Sequence, residues 1–296
     1  MSKNIVEFVL PGKDGLNLSV GLLNLSEPAA MVQIIHGMQE KKEKYYSFMH
    51  YLASLNIASI ISDIRGHGKS VNYFYIQGYF QSIRQVSADQ VLITKYVKNL
   101  HPGVKLYIYS HSFGTLIARK YIQTHDFLIN GLIMSGTVGY IPVAKVLLNL
   151  GERTVRINGQ KGYHLWTLFN KGPYNWITGD KDFLEYKILK DPYWSTFKYT
   201  NQGLLVICKG DIDLHDYSSF KVHNPKLRIL SVTGDEDPFT LGTMGLADTF
   251  NALKKVGYTK LTNIVLPHMK HEILNEINRD KVYRIISNFV LSKRGR

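Results

Sequence analysis

Short apolar runs alternate along most of this chain with longer stretches in which apolar residues recur every third or fourth position. The first spacing marks buried strands and the second marks amphipathic helices. Residues 5–10 and 17–24 flank the turn-rich Pro11-Gly-Lys-Asp-Gly15 and read as a β-hairpin. Ala30–Ile35 and Ile57–Ile61 are predicted strands, separated by a helix with Tyr45, Phe48, Met49, Leu52 and Leu55 at helical spacing. A further helix spans Ile83–Leu100 and stops at His101-Pro102-Gly103. Leu106–Tyr109 is the next strand, Thr115–Tyr121 a helical pattern, and Gly131–Met134 another strand. The alternation lapses from about Thr137 and returns with a strand at Leu227–Val232. Leu246–Val256 reads as helix and Leu261–Leu266 as the last strand. A closing amphipathic helix carries Ile277, Val282, Ile285, Ile286 and Val290. A hairpin followed by alternating strands and helices predicts an α/β fold, with a mostly parallel central sheet and helices on both faces.

The lapse has its own composition. It holds Trp166, Trp176 and Trp194, which are all the tryptophans of the chain, with Tyr140, Tyr163, Tyr174, Tyr186, Tyr193, Phe197 and Tyr199 among them. Residues 137–224 are therefore read as an inserted, mostly helical cap over the strand ends, between core segments 1–136 and 225–296. Most of these aromatics are expected to build the insert's own core. Some must face the cleft below, which favours an apolar ligand.

Charge and cysteine content narrow the classes. The 296 residues carry 36 Lys and Arg against 23 Asp and Glu, a formal +13, yet the basic residues are scattered and form no block. No zinc-finger spacing or RNA-binding aromatic signature accompanies them, so nucleic acid is not an expected partner. The excess reads as solvated surface, with attraction to an anionic membrane as its secondary implication. The lone Cys208 excludes an internal disulfide and a cysteine-based metal site. No signal-like segment opens the sequence and no long apolar run follows, giving a cytoplasmic location as the default expectation.

The candidate chemistry centres on Ser110-His111-Ser112-Phe113-Gly114, between a predicted strand and a predicted helix. That is the layout of a nucleophile elbow, in which a strained turn lifts the central serine clear of the backbone. Gly114 is small enough where strand and helix nearly touch, and Ser110 nearly so. A serine serving as an ordinary helix N-cap is the plainer alternative. Serine becomes a nucleophile only with a base, and the base needs a group to orient it. Asp237 and His271 each lie just past a strand end, and the order Ser112, Asp237, His271 is that of α/β-hydrolases. Asp235 and Glu236 read as solvated turn residues. His268-Met-Lys-His271-Glu272 fits neither zinc-protease spacing, so no metal and no cofactor is expected. An oxyanion hole is expected from the N–H groups of Phe113 and Met38, with Gly37 permitting close approach. His36 is expected to be structural, and Asp63 to pin the loop Arg65–Ser70.

These motifs resemble a family. His36-Gly-Met-Gln-Glu40 with Tyr45 is similar to the H-G-M-x-E…Y of monoacylglycerol lipases and lysophospholipases. Asp63-Ile-Arg-Gly-His-Gly-Lys-Ser70 resembles their D-x-R-G-H-G-x-S, and Ser110–Gly114 their G-H-S-M-G, with Ser for Gly and Phe for Met. Gly234-Asp-Glu-Asp237-Pro238 resembles G-x-x-D-P, and His271-Glu-Ile-Leu-Asn-Glu276 resembles H-E-x-x-N-E. The insert carries an echo in Trp176-Ile-Thr-Gly-Asp180 and Asp191-Pro192. The resemblance implies a serine carboxylic-ester hydrolase with Ser112, His271 and Asp237 as its triad, acting on monoacylglycerol or lysophospholipid. A hydrolase for small or non-lipid acyl substrates, and a non-enzymatic binding homologue, are the alternatives.

Overall fold

The computed structural model of the chain describes residues 4–140, 144–169 and 172–292. Its strands are β1 (Val6–Pro11), β2 (Asn17–Leu23), β3 (Ala30–Ile35), β4 (Ile57–Ser62), β5 (Leu106–His111), β6 (Gly131–Ser135), β7 (Arg228–Gly234) and β8 (Lys260–Leu266). They form one eight-stranded sheet in the order β1-β2-β4-β3-β5-β6-β7-β8. The β1–β2 and β2–β4 pairs are antiparallel and the others parallel. The expected α/β architecture is the one observed.

Strands β3, β4, β5 and β6 are buried along their whole length. A parallel strand covered on both faces favours apolar side chains on both, which is why these segments read as near-continuous runs rather than alternations. Along β5, Leu106 and Ile108 enter the core on one face while Tyr107 and Tyr109 enter the core on the other. The first core is closed by α2 (Ile83–Leu100) and α3 (Phe113–His125), through Ile93, Val97, Leu116 and Ile117. The second is closed by α1 (Tyr46–Ser54) and α9 (Arg279–Leu291), through Phe48, Leu52, Val282 and Ile286. Ser82 caps α2 by accepting from Gln85 N at 3.1 Å, and Gly103, at φ +81, turns the chain after it.

Between β6 and β7, which are neighbours in the sheet, the chain makes a long helical excursion. It contains α4 (Ala144–Asn158), α5 (His164–Phe169), a π-helical turn (Phe183–Leu189), α6 (Pro192–Thr196) and α7 (Asn201–Asp213). Thr200 caps α7 and Asp191 caps α6, where Pro192 takes the first position without losing a needed donor. Trp166, Phe197 and Tyr199 pack into the first core together with α3 residues, so the excursion and the sheet share hydrophobic packing. The chain then forms α8 (Gly242–Lys255) between β7 and β8.

One detail departs from the pattern. Ile277 lies ahead of α9 and is 72 % exposed. The preceding Glu276 accepts from Lys270 N and Gly179 N, which holds the chain extended there and turns Ile277 outward.

Candidate active site

The loops after β3, β4, β5, β7 and β8 all open at the carboxyl edge of the sheet, where ligands of such sheets bind. The sharpest is the turn from β5 into α3. Ser112 sits at φ +51, ψ −121, a conformation costly for any side chain with a Cβ. Its hydroxyl caps no helical N–H. Instead its Oγ lies 2.8 Å from His271 Nε2. The geometry is an elbow and not an N-cap. A Cβ on Gly114 would stand 2.4 Å from the carbonyl oxygen of Ile35, so only glycine lets α3 start against β3. Ser110, where the family pattern has glycine, fits because its hydroxyl donates to Ile133 O at 3.0 Å.

His271 Nδ1 lies 2.9 Å from each carboxylate oxygen of Asp237. A carboxylate only accepts, so Nδ1 carries the proton and Nε2 is left to accept from Ser112 Oγ. The Asp237 side chain is fully buried and one oxygen also accepts from Phe239 N, which fixes its orientation. Asp235 is exposed and accepts from His268 N across the adjoining turn. His268 is exposed at φ +56 and remote from this relay.

The first residue of α3 is Phe113, whose N–H has no acceptor within the helix. Met38 approaches from the loop after β3 and lines the same cavity as Ser112 and Phe113. A Cβ on Gly37 would lie 3.1 Å from Ser112 Cβ and from the His111 ring, which is why the loop can come this close. His36 Nε2 accepts from Ile64 N and Nδ1 donates to Gly37 O. Burial holds its pKa below the ordinary imidazole value, against the pull of Glu40, and it acts as a neutral brace between two loops. Asp63 accepts from Lys42 N and Lys69 N and ties the β4 loop.

Behind His271 lies a charged cluster that the sequence reading did not assemble: it took His111 as support for the elbow and Glu40 and Glu272 only as motif residues. Lys44 Nζ bonds both Glu40, at 2.6 Å, and Glu272. Glu40 also accepts from Gly37 N and from Tyr45 OH, each at 2.6 Å, so it shapes the turn carrying Met38. His111 donates or accepts at Nδ1 with Ser135 Oγ, while its Nε2 stands 3.5 Å from Glu272. At Lys44, His111 and Glu272 burial works against charge, and the opposite charges outweigh it. Lys44 and His111 hold Glu272 well below the usual carboxylate range. Glu272 and Glu40 raise His111 and Lys44 above their ordinary values. Glu40, His111 and Glu272 could together ligate a cation. The Lys44 ammonium already bridges both carboxylates, while His111 Nε2 makes no hydrogen bond. The i,i+4 spacing of Glu40 and Lys44 was the available signal, but their third partner is more than two hundred residues away.

Above the serine is a cavity of about 370 Å³. Trp166, Tyr174, Trp176, Trp194 and Leu204 from the excursion line it, together with the polar Gln39, Glu40, Lys44, His111 and Glu272. Among the described residues, no helix is long and apolar enough to cross a membrane.

The fold has well-characterised counterparts. A thermostable carboxyl esterase from Bacillus coagulans, solved with glycerol, superposes with a TM-score of 0.83 at 22% identity, over 97% of this chain and 99% of the other. A soluble variant of monoglyceride lipase from Saccharomyces cerevisiae, bound to a substrate analogue, gives 0.77 at 16% identity, over 98% and 97%. The Paleococcus ferrophilus monoacylglycerol lipase gives 0.73 at 19% identity, over 93% and 98%. At such identities the likeness is one of fold. An uncharacterized abhydrolase domain-containing protein of Dictyostelium discoideum is 28% identical over 155 residues, a stretch of 51% of this chain and only 16% of that relative. The pattern of the serine aminopeptidase S33 family (Hydrolase_4) matches residues 26–278, and this α/β-hydrolase chain belongs to that family.

Proposed function

We propose that this protein is a serine hydrolase of carboxylic esters, with a monoacylglycerol or a lysophospholipid as its substrate. The observation that carries the reading is the continuous relay Ser112 Oγ, His271 Nε2, His271 Nδ1, Asp237, opening into an aromatic-walled cavity. In this mechanism His271 takes the Ser112 proton as Oγ attacks the ester carbonyl. Asp237 stabilises the imidazolium, and the N–H groups of Phe113 and Met38 receive the oxyanion. His271 then protonates the leaving alcohol, the ester C–O bond breaks, and water hydrolyses the acyl-enzyme by the same route. Gly37, Ser110, His111 and Gly114 support the elbow and its facing loop.

A single acyl chain matches the cavity's apolar lining, and a small polar alcohol matches its polar lining residues. Residues 137–224 serve as the cap that carries that wall. Supply from an anionic membrane is supported by α4, where Val146, Leu150 and Ile157 are 61 %, 56 % and 69 % exposed along one face. Lys145, Arg153 and Arg156 are exposed beside them, the composition of a helix that lies in a lipid interface.

The test is hydrolysis of p-nitrophenyl esters from acetyl to palmitoyl, with Ser112→Ala alongside. Turnover that peaks at medium or long chains and is lost in the variant is expected. A preference for acetyl would move the assignment to a small-ester hydrolase. No turnover, with no labelling of Ser112 by a fluorophosphonate, would leave a binding protein.

A further inference from the structure

The motif Trp176-Ile-Thr-Gly-Asp180 has no part in the relay just described, yet it lies against it. His271 belongs to the loop after β8, and β8 is the last strand of the sheet. A loop leaving an edge strand has a neighbouring strand on one side only. On that inner side Glu236 N donates to Met269 O and His268 N to Asp235.

The outer side is closed by the excursion. Trp176 O accepts from His271 N at 3.3 Å and Ile177 O accepts from Glu272 N at 2.8 Å. Thr178 Oγ1 donates to Asn275 O at 3.0 Å, and Gly179 N donates to the Glu276 carboxylate at 3.0 Å. Lys270 Nζ reaches back to Asn175 O at 2.6 Å. A Cβ on Gly179 would stand 2.9 Å from Glu276 Oε2, so a larger residue there would push that carboxylate aside. Ile177 and Thr178 are buried in the seam. The Trp176 ring meets the His271 ring edge-on at 5.5 Å and the Phe239 ring at 4.8 Å, while it also lines the cavity.

We propose that Trp176, Thr178 and Glu276 are positioning residues for His271, holding the imidazole between Asp237 and Ser112 from the side the sheet leaves open. The proposal rests on the hydrolase reading, because it assigns these residues to alignment of its base. Peptide bonds of the excursion fix the His271 backbone, and the Trp176 ring limits its side chain. Acyl chain packed against Trp176 then bears on the base directly. None of the three touches the reacting atoms, so their loss acts through geometry.

The test compares wild type with Thr178→Val, Glu276→Gln, Trp176→Ala and Trp176→Phe. Thr178→Val deletes the donor to Asn275 O and the acceptor for Asp180 N at nearly constant shape, and is the variant least disturbing to the fold. For a p-nitrophenyl ester, kcat should fall about tenfold to a hundredfold in the first three variants, as small misplacements of a base do. KM should stay within about twofold of wild type in Thr178→Val and Glu276→Gln, while Trp176→Ala, which also removes part of the cavity wall, should raise it. The far-downfield proton resonance of the His271–Asp237 hydrogen bond should broaden, with thermal unfolding still cooperative. Trp176→Phe, which keeps a ring edge toward His271, should restore most of kcat. Wild-type kcat and a sharp resonance in Thr178→Val and Glu276→Gln would overturn the proposal. Failure of wild type to react with a fluorophosphonate would instead sink the hydrolase reading, while the resonance still reports on the seam by itself.

Discussion

Lys44 and Glu272 come together behind His271 as a buried ion pair, which Glu40 extends on the other side of the ammonium. The Glu272 side chain is 9% exposed and that of Lys44 14%. Lys44→Met would leave two carboxylates facing each other without a cation. Breaking a buried pair from one side costs about 3–5 kcal/mol, and that loss is expected here in urea denaturation. A loss near zero would show that water reaches the cluster.

The same cluster sets a pH dependence of stability. Glu272 is held below its unfolded value by Lys44 and His111, against burial. Its contribution is full above the ordinary carboxylate pKa and is lost as pH falls through the depressed folded value. His111 is raised by Glu272 and Glu40, against burial. Its contribution is full below the ordinary imidazole pKa and is lost as pH rises through the folded value. Thermal unfolding followed against pH should decline toward both ends, with Glu272→Gln flattening the acid side and His111→Gln the alkaline side. An alkaline slope identical in wild type and His111→Gln would remove His111 from the account.

Gly114→Ala should damage structure and site together. The added methyl meets a backbone carbonyl, that of Ile35, which cannot swing away as a side chain would. Overpacking of this kind costs about 1–3 kcal/mol. The displaced helix start carries Phe113 N–H with it, so fluorophosphonate labelling should slow by more than the loss of folded protein explains.

Asp237→Asn keeps the shape of the acid and removes its ability to fix the tautomer. If His271 is the base, kcat should fall by about 10⁴-fold. Nuclear magnetic resonance of the imidazole nitrogens should show the proton moved from Nδ1 to Nε2. An unchanged tautomer with full activity would exclude Asp237 as the orienting group.

Leu150→Asp with Ile157→Asp probes the exposed apolar face of α4 as the proposed site of membrane contact. Both side chains are already exposed, so stability should change by no more than about 0.5 kcal/mol. Cosedimentation with phosphatidylserine-containing vesicles should fall, while hydrolysis of a soluble ester holds. Equal binding by wild type and the variant, or wild-type binding that ignores vesicle charge, would reject the bilayer as partner.

The sequence by itself determined the order of strands and helices and the identity of the central turn. Both are local properties: buried parallel strands favour near-continuous apolar runs, and an elbow demands small residues around one serine. Ser112, Asp237 and His271 were legible because each follows a strand end, and strand ends share one edge of a parallel sheet. Tertiary structure decided that their side chains meet, since hydrogen-bond distance between residues 112, 237 and 271 depends on how the loops pack. It alone decided that Glu40, Lys44, His111 and Glu272 form one cluster, because the partners are scattered in sequence and each reads singly as a solvated charge or a motif residue. It also decided that Trp176–Gly179 abuts the His271 loop. No periodicity encodes that contact; it exists because an edge strand leaves a loop open and the excursion returns to cover it.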